Sequence, residues 1–154
     1  MKISMTLLSL SLLFISIHCS QQDKQLSADV LSQLDKAEKE MIDALSKGDS
    51  IAFKNIAGYD YVDINATGTQ KTLQAMLDEI PDFKGLAVGF SDQLQRVYGN
   101  FVLRTGKARL SAGQQLIAEV FYTQGWYYRN NKWQFVHWQG TMTKDFLQRD
   151  TLKK

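Results

Sequence analysis

Cysteine, histidine and proline are scarce in this chain. Its 154 residues include one cysteine, Cys19, two histidines, His18 and His137, and one proline, Pro81. A single cysteine excludes an internal disulfide. One cysteine with two histidines is also too few for a four-ligand zinc site. No glycine-rich phosphate loop is present either, so we expect neither a metal nor another cofactor.

An excess of charge of one sign is also lacking. Eighteen lysines and arginines stand against 16 aspartates and glutamates, and the basic residues are scattered. This balance gives no support to a nucleic-acid partner. The length of 154 residues and the hydrophobic content of 44% fit one globular domain with a proper core.

The first residues differ from the rest of the chain. Lys2 is followed by an apolar run over residues 7–17, broken only by serines. The run is shorter than the roughly 20 residues of a membrane-spanning helix, so an export signal is the better interpretation. Cys19 follows this run directly and precedes polar residues 20–24, which resembles a bacterial lipoprotein signal. An ordinary cleaved signal with an incidental cysteine is the alternative.

The lipoprotein interpretation divides the chain into four parts. Residues 1–18 would be the signal, 19–27 a tether, 28–142 the folded domain and 143–154 a polar tail or short helix. Lipids on Cys19 would then hold the domain on a membrane of the bacterial cell envelope. A serine next to the lipidated cysteine, as Ser20 would be, resembles the sorting pattern of lipoproteins that go to the outer membrane of Gram-negative bacteria.

Three helices are predicted in the first half of the domain. Leu34, Met41 and neighbouring apolar residues recur at helical spacing over residues 27–47, and Gly48 is a plausible terminator. A shorter helix follows Asp49, and a third is predicted over residues 70–80, ended by Pro81. A short strand over residues 59–64 lies between the last two.

Strands are predicted from residue 86 onwards. The runs 86–90, 93–98 and 101–110 precede two long apolar and aromatic arms, 116–129 and 132–142. Asn130 and Asn131 join the arms, and because asparagine tolerates positive φ, the pair predicts a hairpin. Helices followed by antiparallel strands indicate an α+β domain.

The order of these elements and several short motifs resembles the nuclear transport factor 2-like superfamily. The closest likeness is to the bacterial SnoaL-like families and to the association domain of calcium/calmodulin-dependent kinase, over most of residues 28–142. The motifs that carry it are ALSKGD (44–49), YDYVD (59–63), VYGN (97–100), YTQGW (122–126) and KWQFVH (132–137).

This resemblance implies a cone-shaped domain and leaves its function open. A strongly curved antiparallel sheet would wrap around the first helix and leave a pocket at one end, and homodimers through the sheet would be frequent. Members include isomerases, dehydratases, association domains and plain binding domains, so the fold does not choose between them. The pocket arginines of the kinase domain fall on Gln124 and Gly140, which makes capture of a carboxylate ligand doubtful.

Aromatic residues are the main candidates for a binding site. Tyr122, Gln124, Trp126 and Tyr128 alternate along one strand and therefore share a face. Together with Trp138 they predict the lining of an apolar pocket for a small molecule. The opposite face could serve as a dimer interface, where Tyr and Trp are also enriched.

Candidate catalytic residues are fewer. His137 is the one imidazole of the domain, and alternation would place it on the face of Phe135, opposite Trp138. A structural histidine is the alternative. Asp60, Asp63 and Glu119 each interrupt an apolar run, and a carboxylate that faces a pocket can have a raised pKa suited to proton transfer. Carboxylates on the solvated face or paired with a basic residue are the alternative.

Two functions follow. The leading hypothesis is a lipid-anchored binding or association domain without catalysis. The alternative is an isomerase or dehydratase with His137 or Asp63 as base and Tyr61 or Tyr128 as hydrogen-bond donor to a developing oxyanion. The second requires an ionisable side chain in the pocket, within hydrogen-bond distance of a Tyr or Trp polar tip.

Overall fold

The computed structural model describes residues 26–151. The expected signal and Cys19 lie outside these residues. The helices are α1 (Ala28–Lys47), α2 (Ser50–Ile56), α3 (Leu73–Glu79) and α4 (Lys144–Thr151), and a 3-10 turn spans Ile80–Phe83. The strands are β1 (Ala57–Ile64), β2 (Gln70–Thr72), β3 (Leu86–Tyr98), β4 (Phe101–Ala112), β5 (Gln115–Arg129) and β6 (Lys132–Met142).

Helix α1 begins and ends where its sequence predicts. The side chain of Ser27 accepts a hydrogen bond from the backbone N–H of Val30, which satisfies a free donor of the first turn. At the other end Gly48 adopts φ 67°, and its N–H donates to the carbonyls of Ala44 and Leu45. The buried side of α1 faces the sheet.

The six strands form one curved, unclosed sheet in the order β2-β1-β6-β5-β4-β3. All neighbouring strands are antiparallel except β1 and β6, which run parallel. The expected α+β class and curved sheet around the first helix are confirmed. The sheet is mixed rather than wholly antiparallel, because β1 pairs in parallel with the last strand, β6, on one side and antiparallel with β2 on the other.

The predicted hairpin is confirmed at residues 130 and 131. Asn130 and Asn131 have φ of 53° and 58°, and the arms pair from Val120 opposite Met142 to Arg129 opposite Lys132. Positive φ at both central residues is the turn geometry that matches the twist of two antiparallel strands.

Two boundaries differ from the sequence prediction. Residues 70–72 form β2, because their backbone pairs with the outer edge of β1, and α3 therefore begins after Thr72, whose hydroxyl accepts from the N–H of Ala75. Strand β3 is continuous through residues 91–94, where Asp92 adopts φ 54° in a bulge. The tail contains a fourth helix, α4, and the hydroxyl of Thr143, just before this helix, donates to Oε1 of Glu119 on β5 at 2.9 Å.

The core lies between α1 and the concave face of the sheet. Trp126 and Phe135 from neighbouring strands have ring centroids 4.8 Å apart, and Phe53 of α2 meets Tyr61 edge-on at 5.8 Å. Within residues 26–151, no helix is long and apolar enough to cross a membrane.

Candidate ligand-binding cavity

A cavity of about 200 Å³ lies between the helices and the concave face of the sheet. The helices contribute Met41 and Leu45 of α1, Phe53 of α2 and Met76 of α3. Most of its wall is apolar, which is typical of sites for small molecules. The sheet, the 3-10 turn and the turn after β1 supply the remaining lining residues, which are Tyr61, Asp63, Asn65, Ala66, Lys71, Phe83, Val88, Phe90, Ala108, Arg109, Leu110, Ala118, Val120, Phe135, Trp138 and Gly140.

Asp63 is a buried carboxyl group in this wall. The hydroxyl of Tyr61 donates to its Oδ2 at 3.3 Å, and the two residues are 6% and 3% exposed. The other oxygen, Oδ1, is buried without a hydrogen-bond partner among the described residues. Buried polar atoms are nearly always paired, so an unpaired carboxyl oxygen beside a cavity indicates a place where a ligand or water binds.

Burial raises the pKa of Asp63 above its usual value. The positive charge of Lys71 and the hydrogen bond from Tyr61 lower the pKa, whereas the nearby charge of Glu79 raises it, and burial prevails. Lys71 is engaged by Glu79 in a short ion pair. Burial and the charge of Asp63 together hold the pKa of Tyr61 well above its ordinary value, so this hydroxyl remains a donor.

The other two carboxylates singled out in the sequence have arginine partners. Asp60 accepts from Nη1 of Arg129 at 3.0 Å, and Glu119 accepts from Nε of Arg109 at 2.6 Å. These hydrogen bonds hold the pKa of both carboxyl groups below the usual values. Of the three, therefore, only Asp63 has the environment expected of a functional acid.

The five predicted ligand-binding residues lie on the concave face, but one of them lines the cavity. Trp138 lines the cavity, and Tyr122 stacks on it with ring centroids 5.3 Å apart. Trp126 is fully buried and donates through Nε1 to Oε1 of Gln124. Tyr128 packs against Trp133 at the far end of β5. Tyr122, Gln124, Trp126 and Tyr128 are thus absent from the lining.

His137 lies away from the cavity, on the opposite face of β6. The expectation that it shares a face with Phe135 is wrong, because a bulge places Phe135 opposite Trp126 but His137 opposite Gly125. Val136 is the extra residue, and it reverses the alternation of the strand. Trp138 therefore returns to the concave face. Burial lowers the pKa of His137.

A buried polar network, which the sequence interpretation missed, lies next to the cavity on the concave face. Nη1 of Arg104 donates to Oε2 of Glu38 at 2.8 Å, and the Arg104 side chain is 3% exposed. Gln93 donates to the same carboxylate and, at 2.9 Å, to the hydroxyl of Tyr122. The sequence does contain an indication of this network. Glu38 lies four residues after Leu34, on the apolar face of α1, where a charged residue needs a buried partner.

Metal ligands do not converge in the described part of the chain. Over residues 26–151, no group of three or more His, Cys, Asp and Glu side chains could hold an ion.

Sequence comparisons and structural comparisons give different results. No protein-family model and no curated protein matches the chain. By structure, the chain is similar to a candidate Ca/calmodulin-dependent kinase II association domain from Exiguobacterium sibiricum, with a TM-score of 0.65 and 19% identity over 78% of this chain and 97% of that one.

Two further structures show the same likeness. A protein of unknown function with a cystatin-like fold from Nostoc punctiforme has a TM-score of 0.67 and 12% identity over 78% of this chain and 96% of that one. A candidate dehydratase from the NTF2-like family of Streptomyces avermitilis has a TM-score of 0.64 and 15% identity over 75% and 96%. Together with the curved sheet around α1, these likenesses show that the chain has the nuclear transport factor 2-like fold.

Proposed function

We propose that the protein binds a small, mainly apolar molecule in the cavity. The observation that carries this proposal is the combination of an apolar wall around about 200 Å³ with one buried carboxyl group, Asp63, whose Oδ1 lacks a partner among the described residues. Apolar cavities of about 150 Å³ are large enough to take up benzene. A single-ring molecule therefore fits the available space.

Titration with benzene and p-xylene tests this proposal. Binding is followed by the indole N–H signals in nitrogen-correlated NMR spectra, where Trp138 is expected to shift most. Ala118 lines the cavity and Ala112 lies exposed at the end of β4. Ala118→Leu is expected to weaken binding by filling space, while the matched control Ala112→Leu leaves it unchanged. Equal affinities for both variants would place the probes outside the cavity.

Proton transfer is a second candidate function, favoured by the Asp63–Tyr61 pair. A carboxyl group with a raised pKa next to a neutral phenol donor is suited to move a proton on a bound carbonyl compound. Neither His137, on the other face, nor Tyr128, outside the lining, fits this role.

Deuterium exchange into a single-ring apolar ketone such as acetophenone tests the second candidate. Exchange at the carbon next to the carbonyl is expected with the wild-type protein and lost in Asp63→Asn. Asp60→Asn is the matched control, since Asp60 pairs with Arg129 away from the cavity lining. If the ketone binds but no deuterium exchange occurs, proton transfer is rejected and only the ligand-binding function remains.

Anchoring of the domain through Cys19 is a further part of the proposal. It is supported by the apolar run over residues 7–17 and by the polar residues that follow the cysteine. Mass spectrometry of the protein from a bacterial membrane fraction is expected to give the mass of a lipid-modified N-terminus at Cys19. Cys19→Ser should release the protein from that fraction.

Homodimer formation is also proposed, through the convex face of the sheet. Leu94, Tyr98 and Phe121 on this face are 60%, 57% and 54% exposed, and large apolar side chains so placed are typical of interfaces. Light scattering is expected to give twice the monomer mass, and Phe121→Lys to shift it towards the monomer.

A further inference from the structure

Asp63 and Trp138 lie side by side in the cavity wall. They are register partners in the parallel pair β1–β6, and both side chains line the cavity. Neighbouring parallel strands are less than about 5 Å apart, so the side chains of register partners on the same face reach the same small volume. An acceptor and a donor therefore flank one part of a mainly apolar cavity.

The indole N–H of Trp138 is available to a ligand. Trp126 donates to Gln124, and Trp133 donates at 2.7 Å to the carbonyl of Val30. In contrast, Nε1 of Trp138 has no acceptor in the part of the chain that the structure describes. A Cβ atom at Gly140 would lie 3.3 Å from this nitrogen. Because residue 140 has no side chain, the N–H remains uncovered on that side.

Asp63 supplies the matching acceptor. Its Oδ2 is taken by Tyr61, and its Oδ1 has no partner among residues 26–151. The terminal torsion of an aspartate is broad, so a small rotation is enough to turn an oxygen towards a ligand. The two cations of the wall are already engaged, Lys71 by Glu79 and Arg109 by Glu119.

We infer that the cavity selects an apolar molecule that carries a hydroxyl group, which donates to Asp63 and accepts from Trp138. The inference rests on the proposed cavity binding and specifies the ligand class. A hydroxyl group is both donor and acceptor, whereas an ether or ketone only accepts, an ammonium only donates and a carboxylate is repelled by Asp63. A hydrocarbon would leave both polar atoms unpaired.

Three probes of nearly equal size separate these contributions. p-Cresol donates and accepts, 4-methylanisole only accepts, and p-xylene does neither. The dissociation constants come from NMR titration of the wild-type protein at neutral pH. We expect p-cresol to bind about tenfold more tightly than 4-methylanisole, as a hydrogen bond to a carboxylate predicts. The methyl ether should in turn bind more tightly than p-xylene.

Two variants assign the preference to the two residues. Trp138→Phe keeps an aromatic ring but removes the donor, so the advantage of 4-methylanisole over p-xylene should disappear. Asp63→Leu removes the acceptor but keeps the number and branching of the side-chain heavy atoms, so p-cresol should lose its advantage while p-xylene still binds. Asp60→Leu, outside the cavity lining, should change neither ratio.

The outcomes distinguish the two proposals. Equal affinity of the wild-type protein for all three probes would overturn the hydroxyl inference and leave cavity binding intact. Binding of 4-methylbenzoate more tightly than p-cresol would also overturn the inference, since it would show that a cation of the lining, Lys71 or Arg109, and not Asp63 receives the polar group. Failure of every probe to bind would overturn the cavity function and the inference with it.

Discussion

Arg104 on β4 and Glu38 on α1 form an ion pair of 2.8 Å that fastens the helix to the concave face of the sheet. Asp35, one turn earlier on α1, binds the same guanidinium, and Gln95 on β3 accepts from its Nε at 2.9 Å. Each guanidinium nitrogen of Arg104 thus has a hydrogen-bond partner, although the side chain is almost completely buried.

Removal of Glu38 is expected to destabilise the domain strongly. Glu38→Ala leaves a buried guanidinium without the more buried of its two carboxylate partners, and such a change costs about 3 kcal/mol of unfolding free energy. The matched control is Glu40→Ala, because Glu40 forms only an exposed pair with Lys36 and should change the free energy by less than about 0.5 kcal/mol. Urea unfolding measures both values. Similar losses in the two variants would contradict a structural role for the Arg104–Glu38 pair.

The acidity of Asp63 predicts a particular pH dependence of stability. Because its pKa is raised in the folded state, the folded protein binds more protons than the unfolded chain above the ordinary value of 3.8. The contribution of Asp63 to stability is therefore full below that value and is lost as pH rises through the raised pKa. Relative to wild type, Asp63→Asn should gain stability over this range, in urea titrations at successive pH values.

Asp60 provides the opposite control. Its pKa is lowered by Arg129, so its contribution is present above 3.8 and is lost as pH falls. Asp60→Asn should therefore lose stability relative to wild type as pH rises from acid values. The titratable neighbours of Asp63 are Tyr61, Lys71 and Glu79. If both variants changed in stability in the same direction with rising pH, relative to wild type, Asp63 would not be buried as the structure places it.

Two glycines on neighbouring strands should respond oppositely to substitution by alanine. A Cβ at Gly106 would lie 2.8 Å from the carbonyl oxygen of Ser91, in the bulge of β3, whereas a Cβ at Gly89 meets nothing within 4 Å. Gly106→Ala is expected to cost about 2 kcal/mol by overpacking against backbone. Gly89→Ala should be neutral or stabilise by about 0.5 kcal/mol, because it restricts the unfolded chain. The unfolding free energies of the two variants, measured by thermal and urea denaturation, are compared with that of the wild-type protein.

The hairpin turn offers a prediction that separates backbone strain from side-chain contacts. Asn131 adopts φ 58°, which costs an alanine about 1 kcal/mol but costs glycine nothing. Asn131→Ala should lower the unfolding free energy by about that amount, and Asn131→Gly should not. Equal losses in both variants would mean that the asparagine side chain, rather than the backbone conformation, stabilises the turn.

Local chemistry made much of the fold predictable. Ser27 and Gly48 bound α1, and the two asparagines fix the long hairpin, because capping and turn geometry depend on neighbouring residues alone. The parallel pairing of β1 with β6 was not predictable in this way, since it joins residues more than 70 positions apart, as in Asp63 opposite Trp138.

The candidate site was predicted in part. Asp63, Tyr61 and Trp138 were among the sequence candidates, and the structure brings them to one cavity. His137 was misplaced because simple alternation cannot anticipate the bulge at Val136, which depends on how β5 and β6 pair. Tyr122 and Trp126 lie on the expected face, but which part of a concave surface remains hollow depends on the helices that cover it.

Helix α1 separates the start of the described domain from the cavity. The chain enters it near Val30, where Trp133 binds the first turn, whereas the cavity lies against Met41 and Leu45. At 1.5 Å per residue, Met41 is about 16 Å along the helix from Val30. If Cys19 carries a lipid, as proposed above, the anchored chain would join the domain at the start of α1, about 16 Å along the helix from the cavity wall at Met41.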